Sequence, residues 1–193
     1  GTPLVMCHAS PGSSKQLEPL IGLLSIHRPV LALDTLGNGD SSPPSIEQPE
    51  IPYFADAHRR ALDALDVDRF DVYGTHTGAN IAIELAIRHP TRVRRVILDG
   101  VSLYSDAERD DMLAHHAPPI VLDDHGAYLV RAWNFVRDAY LFWPWYKRGA
   151  AHRRALGVPP VEVLHDKVLE VLKAARTYHL SYNAAIRYPK PDR

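Results

Sequence analysis

The sequence predicts an α/β fold: a mostly parallel sheet covered by helices on both faces, three layers deep, with a helical second half laid over it. Three observations predict it. Apolar runs at residues 4–7, 29–34, 69–74 and 93–99 alternate with segments of helical periodicity, the order strand-helix-strand-helix-strand-helix-strand. From Val101 onward no strand pattern follows, only helical segments punctuated by proline. Between the two patterns lies Val72-Tyr73-Gly74-Thr75-His76-Thr77-Gly78-Ala79, an apolar run, two glycines four positions apart, and a helical run. That is a strand, a tight turn and a helix, with the middle residue thrust out on a sharp corner.

Each element has a local reason. Residues 4–7 form a short apolar run that ends in His8-Ala9-Ser10-Pro11-Gly12-Ser13-Ser14, a turn-forming cluster. Residues 16–26 place Leu17, Leu20, Ile21 and Leu24 on one helical face, with Ser13 or Ser14 as N-cap and Pro19 tolerated near the start. After the second strand, residues 35–44 are loop. Residues 51–65 read as a helix with Pro52 in its first turn and Phe54, Ala57, Ala61 and Leu65 on one face. The helix after the corner runs to about His89, where Pro90 closes it. In the second half, residues 106–114, 126–143, 145–155 and 161–182 read as helices, broken by Pro118-Pro119, Pro144 and Pro159-Pro160. The division expected is therefore 1–100 for the sheet and its helices, and 101–193 for a helical cap. Residues 188–193 read as a proline-rich connection.

Bulk properties narrow the function. With 193 residues, 46% hydrophobic and 23% charged, the chain can bury a core. A formal net charge of -1 gives no electrostatic case for nucleic acid or an anionic membrane. The single cysteine, Cys7, sits in an apolar run and reads as a buried, reduced thiol of a cytoplasmic protein. No stretch approaches the ~20 apolar residues of a membrane span. No secretory signal is visible, although a start at Gly1 without Met would hide one.

In a parallel sheet, ligands bind beyond the carboxyl ends of the strands. Four strand ends bring His8, Asp34, His76 and Asp99 to that edge. With these in place, the chain resembles the α/β-hydrolase superfamily. His8-Ala9-Ser10-Pro11-Gly12 is similar to its His-Gly-x-Pro-Gly oxyanion loop. Asp34-Thr35-Leu36-Gly37-Asn38-Gly39-Asp40-Ser41 is similar to its Asp-x-Pro-Gly-x-Gly-x-Ser loop, and Gly74-Thr75-His76-Thr77-Gly78 to its nucleophile elbow, with His76 where Ser is usual. The resemblance covers about residues 1–100, and the helical half fits the family's cap domain. Members usually carry a hairpin before the first strand seen here and two more strands after the cap, bearing the triad acid and His. The chain holds neither, so it resembles a fragment or one piece of a processed protein, and no downstream catalytic His carries over.

The resemblance implies a cofactor-free hydrolase acting on an ester or C–C bond of a small apolar carbonyl compound. A lyase on the same scaffold and a catalytically silent ligand-binding protein stand as alternatives. It implies an oxyanion hole from the backbone N–H groups of Ser10 and Thr77, which the change to His76 leaves intact. An imidazole at position 76 can act as base or nucleophile, or mark a dead site. Asp99 either orients His76 or ends a strand in an ordinary Asp-Gly turn. The hydroxyls of Thr75 and Thr77 are the other conceivable nucleophiles. His8 and Asp34 are expected to shape or contact the substrate site, His8 by bonding the oxyanion loop. Trp133 and Trp143, with Phe135, Phe142, Trp145 and Tyr146, are expected to mix pocket lining with the cap's own core. His115-His116 reads as solvated surface. No metal site is expected, because no close-spaced ligand pair joins the four strand-end residues. A small-molecule substrate and a second copy of the chain are the partners considered.

Overall fold

The structure is a computed structural model and describes residues 1–190. Pro191, Asp192 and Arg193, the end of the proline-rich connection, lie outside the described residues. Strands β1 (Leu4–Cys7), β2 (Val30–Leu33), β3 (Phe70–Thr75) and β4 (Val93–Asp99) form one sheet in the order β2-β1-β3-β4. Every pairing is parallel: Val5 lies opposite Leu31 on one side and Val72 on the other, and Thr75 lies opposite Asp99. Helices α1 (Glu18–Leu24), α2 (Ile51–Ala64) and α3 (Thr77–Arg88) supply the crossovers. Parallel neighbours demand such crossovers, which fixes the α/β alternation read from the sequence.

The two sheet faces follow the period of two along each strand. Val5, Cys7, Val72, Leu31 and Leu33 face α2 and α3, where Phe54, Leu62, Ile81 and Leu85 are fully buried. Burying each such side chain contributes about 1.5–3 kcal/mol. Leu4, Met6, Val30 and Tyr73 face the other way, onto Leu17, Leu20, Ile21 and Leu24. That is the apolar face predicted for residues 16–26. Those residues begin as a 3₁₀ turn, Ser14–Leu17, before α1 takes over at Glu18, because Pro19 is compatible only with the first helical turn. Ser13 is the cap: its hydroxyl accepts from Lys15 N. Strand β4 forms one edge of the sheet, with Val96, Ile97 and Leu98 at 39–52% exposure.

Helices α4 (Asp106–His115), α5 (Ala127–Leu141), α6 (Val161–Lys173) and α7 (Tyr178–Arg187) make up the second half. Ser105 and Glu108 cap α4 reciprocally. A second core gathers Ala132, Phe135, Val136, Leu164, Val168, Val171 and Tyr178. Helix α7 and the residue that caps its end also belong to the main core, through Ala184, Ala185 and Tyr188.

Four expectations change. The buried face of α2 is Ile51, Phe54, Ala55, His58 and Leu62 rather than Phe54, Ala57, Ala61 and Leu65, and Leu65 is 52% exposed. Residues 145–155 are not a helix. A 3₁₀ turn, Ala150–His152, sends the chain back beside Phe142, where Trp143 N donates to His152 O and Arg154 N to Leu141 O, each at 2.8 Å. These cross-chain bonds replace the helical ladder expected there. The expected helix over 161–182 is two helices. The break at 174–177 is held from outside, by Thr177 Oγ1 donating to Gly37 O at 2.6 Å. His116 is not solvated: it is 2% exposed, with Nε2 2.8 Å from Tyr182 Oη and its ring edge-on to Trp143, Tyr146 and Tyr182. Only His115 stays exposed.

Candidate active site

The corner at residues 74–78 follows from two steric facts. A Cβ built on Gly78 would lie 2.1 Å from Cys7 O, and one built on Gly74 would lie 2.2 Å from Gly78 O. The start of α3 therefore packs directly on the end of β1, and only glycine permits it. Between them His76 takes φ 50° and ψ −107°, a region that non-glycine residues rarely visit and that costs about 1–3 kcal/mol. The surroundings hold it there. His76 N donates to Asp99 O at 2.8 Å, and His76 O accepts from Ala79 N and from Asn80 Nδ2. The imidazole is exposed at the tip, with Nδ1 2.9 Å from Thr75 Oγ1.

The carboxylate of Asp99 does not bond the imidazole. It accepts from Tyr73 Oη at 2.9 Å, and the Thr75 hydroxyl in turn bears on the Tyr73 phenol. Burial first, then the Asp99 carboxylate, pushes the Tyr73 hydroxyl above its ordinary pKa, so it stays protonated and donating. The sequence offers Thr75 only as a nucleophile and gives Tyr73 no role. A signal was available: positions 73 and 75 share one face of a strand, and 99 lies opposite 75 in a parallel neighbour.

The loop after β1 carries His8, which is fully buried. Its Nδ1–H donates to Ala9 O at 2.7 Å and its Nε2 accepts from Thr35 N at 2.9 Å. Both nitrogens are thus occupied, which fixes one neutral tautomer and ties the β1 loop to the β2 loop. Burial lowers the His8 pKa, against the opposing pull of the Ala9 carbonyl and Asp34. Asp34 organises the β2 loop. Its two carboxylate oxygens accept from Ser14 N at 2.7 Å and Asp40 N at 3.0 Å, while Ser41 Oγ donates to its carbonyl. Burial opposes its charge, yet the Asp40 and Ser14 N–H groups hold its pKa below the ordinary value.

Ser10 and Thr77 are both buried, and neither N–H has a hydrogen-bond partner among the described residues. The Ser10 side chain is anchored by the helical half: Ser10 Oγ lies 2.8 Å from Ser181 Oγ on α7, which also receives Asn38 Nδ2 at 3.0 Å. Further contacts continue this seam, Lys173 to Asp40 at 2.9 Å and Arg187 to Glu50 at 2.8 Å. Trp133 packs against the second core, whereas Trp143 is 45% exposed beside His116. Thr77 Oγ1 is buried without a bond. No cluster of three or more His, Cys, Asp or Glu with metal-holding geometry occurs among the described residues. None of the described helices is long and apolar enough to cross a membrane.

Residues 2–134 match the model of the alpha/beta hydrolase fold, and the chain belongs to that family. Among its relatives is the 2-hydroxymuconate semialdehyde hydrolase of Pseudomonas sp. (strain CF600), 40% identical over 103 residues, which are 52% of this chain and 36% of that protein. A 2-hydroxy-6-oxo-2,4-heptadienoate hydrolase of Pseudomonas putida is 35% identical over 103 residues, 52% of this chain and 37% of that one. The matched segment thus spans little more than a third of these relatives' length. The fold is similar to that of epoxide hydrolase A from Mycobacterium thermoresistibile, with a TM-score of 0.70 at 19% identity, covering 96% of this chain and 67% of that one. It is also similar to the enol-lactonase from Burkholderia xenovorans LB400, with a TM-score of 0.69 at 18% identity, over 96% and 65% of the two chains.

Proposed function

We propose that the chain carries a hydrolase site in which His76, at the tip of a nucleophile elbow, is the general base for cleavage of an ester or C–C bond in a small apolar carbonyl compound. One observation carries this reading: the exposed His76 ring at the tip of the corner is held with its Nδ1 2.9 Å from Thr75 Oγ1. With Nδ1–H donating to Thr75 Oγ1, the ring is oriented by its neighbour on the strand, while Tyr73, two positions back on the same face, donates to Asp99. That direction leaves the Nε2 lone pair facing out from the tip. Nε2 takes a proton from water as the water oxygen attacks the carbonyl carbon. The free N–H groups of Ser10 and Thr77 are the donors proposed for the oxyanion. Collapse breaks the bond to the leaving group, which recovers the proton from His76. His8 and Asp34 act through the loops they hold. Helices α4–α7 act as the cap, and Trp143 is a candidate contact for substrate.

The substrate class is supported by the relatives, whose names are those of hydrolases of a semialdehyde and an oxo-dienoate, both carbonyl compounds. The cytoplasm is the proposed location, since the lone thiol of Cys7 is buried, with its pKa pushed up to about 12, and calls for no oxidising compartment.

Turnover of an activated ester such as p-nitrophenyl acetate tests the assignment. His76→Ala is expected to lower kcat by about 100-fold or more, the usual contribution of a positioned base. Thr75→Val is expected to lower kcat with little change in KM. Unchanged turnover by His76→Ala removes His76 from the mechanism, and an acyl adduct on His76 seen by mass spectrometry makes it a nucleophile instead.

A further inference from the structure

We infer that the helical half holds a second ligand site, separate from the strand-end loops, which takes a small carboxylate with one apolar ring or short alkyl body. A cleft of about 310 Å³ lies between the face of α5 and the loop at residues 118–120. No residue of the four strand-end loops lines it. That volume sits at the lower end for small-molecule sites.

The walls are aromatic. Phe135 and Trp145 meet with ring centroids 4.9 Å apart, and Phe135 and Tyr178 at 6.0 Å. Their polar hydrogens are already donated: Tyr178 Oη to Pro118 O at 2.5 Å and Trp145 Nε1 to His116 O at 2.8 Å. Ring carbons, with Pro118, Pro119 and Ile120, make up the apolar part of the lining. The walls therefore ask for an apolar body.

The charged groups specify the other end. Arg131 and Arg148 both line the cleft. Helical spacing puts Arg131, Phe135 and Asp138 along one face of α5. Asp138, 1% exposed, accepts a hydrogen bond from Arg137 at 2.7 Å and forms an ion pair with Arg148 Nε at 2.8 Å, so one carboxylate is shared by two guanidiniums. Arg131 has no ion-pair partner within 4 Å among the described residues. The carboxylate of Asp123, which acts on it at longer range, already accepts from the N–H groups of His125, Ala127 and Tyr128. One guanidinium beside aromatic walls thus lacks an anion and a second is half-neutralised. A planar carboxylate matches the guanidinium fork in a way that an amide or an alcohol does not. Asn134, also in the lining, adds one neutral donor.

The inference is independent of the reading of His76. Titration calorimetry of the chain with phenylacetate, and with phenylacetamide as the uncharged isostere, tests it, with Trp145 fluorescence as a second readout. Saturable binding at one site is expected, at least tenfold tighter for the acid than for the amide. Arg131→Ala is expected to weaken it tenfold or more, Arg131→Lys less, and His76→Ala not at all. Arg131 is exposed, so its variants should keep the circular dichroism spectrum. Absence of saturable binding overturns the site, as does equal affinity for acid and amide, or binding indifferent to Arg131→Ala.

Discussion

A single methyl group at position 78 should be enough to prevent stable folding. The Cβ of Gly78→Ala falls 2.1 Å from Cys7 O, 2.4 Å from Cys7 C and 2.7 Å from His8 O. All three are backbone atoms of β1 and its loop. That strand is hydrogen-bonded on both sides, to β2 and β3, so it has no room to withdraw. Overpacking by a side chain in a flexible core costs about 1–3 kcal/mol. Here the strained contact is backbone on backbone, and the cost should exceed that range within a total stability of about 5–15 kcal/mol. Gly22→Ala is the control. Nothing lies within 4 Å of its Cβ, and alanine in a helix is better than glycine by about 1 kcal/mol. Urea denaturation followed by circular dichroism should therefore show opposite shifts for the two variants. A Gly78→Ala midpoint close to the parent would sink the steric account of the corner.

Mild acid is the second large perturbation. His58 and His116 are buried, and burial pushes each pKa down from 6.5 to about 4; for His58 the Phe54 carbonyl, which accepts from Nδ1, opposes this only in part. The sign follows from linkage. The unfolded chain binds the extra protons, so the stability from keeping these rings neutral is complete above pH 6.5 and is lost as the pH falls towards 4. From pH 7.5 to pH 5 the loss should be about 2 kcal/mol per histidine, or ~4 kcal/mol together. His8 shifts in the same direction and adds to it. The unfolding free energy measured at the two pH values gives the slope, and His58→Leu should reduce it by about half. An unfolding free energy that is flat across that interval would remove the buried histidines as its cause.

What could be read from the sequence is what neighbours in the chain decide. The glycine spacing around His76, the apolar face of residues 16–26 and the span of β4 each depend on local sterics or on a short period, and the structure shows all three. What could not be read depends on distant partners. His116 is buried because Trp143, Tyr146 and Tyr182 surround it, and no pattern in the two adjacent histidines announces that. The helix over 161–182 breaks at Thr177 because of Gly37 O, more than a hundred positions earlier. At the site itself the four strand-end residues could be named, but their connections could not. The Asp99 carboxylate takes the Tyr73 hydroxyl rather than the imidazole, and Ser10 leans on a serine of the last helix.

That last helix has a consequence in time. Ala184, Ala185 and Tyr188 wall the same core as Phe54, Ile81 and Leu85, and Ser181 holds the hydroxyl of Ser10. A ribosome adds about 5–20 residues per second, so the stretch between β4 and α7 takes roughly 4–16 s to make. Through that interval the growing chain has all four strands and three covering helices but an open side to its core. Contacts this far apart also close slowly, because the loop entropy must be met before they form. Synthesis thus has a stage at which these four strands are made and their core is still sticky, and it ends when the helix that seats the Ser10 loop arrives.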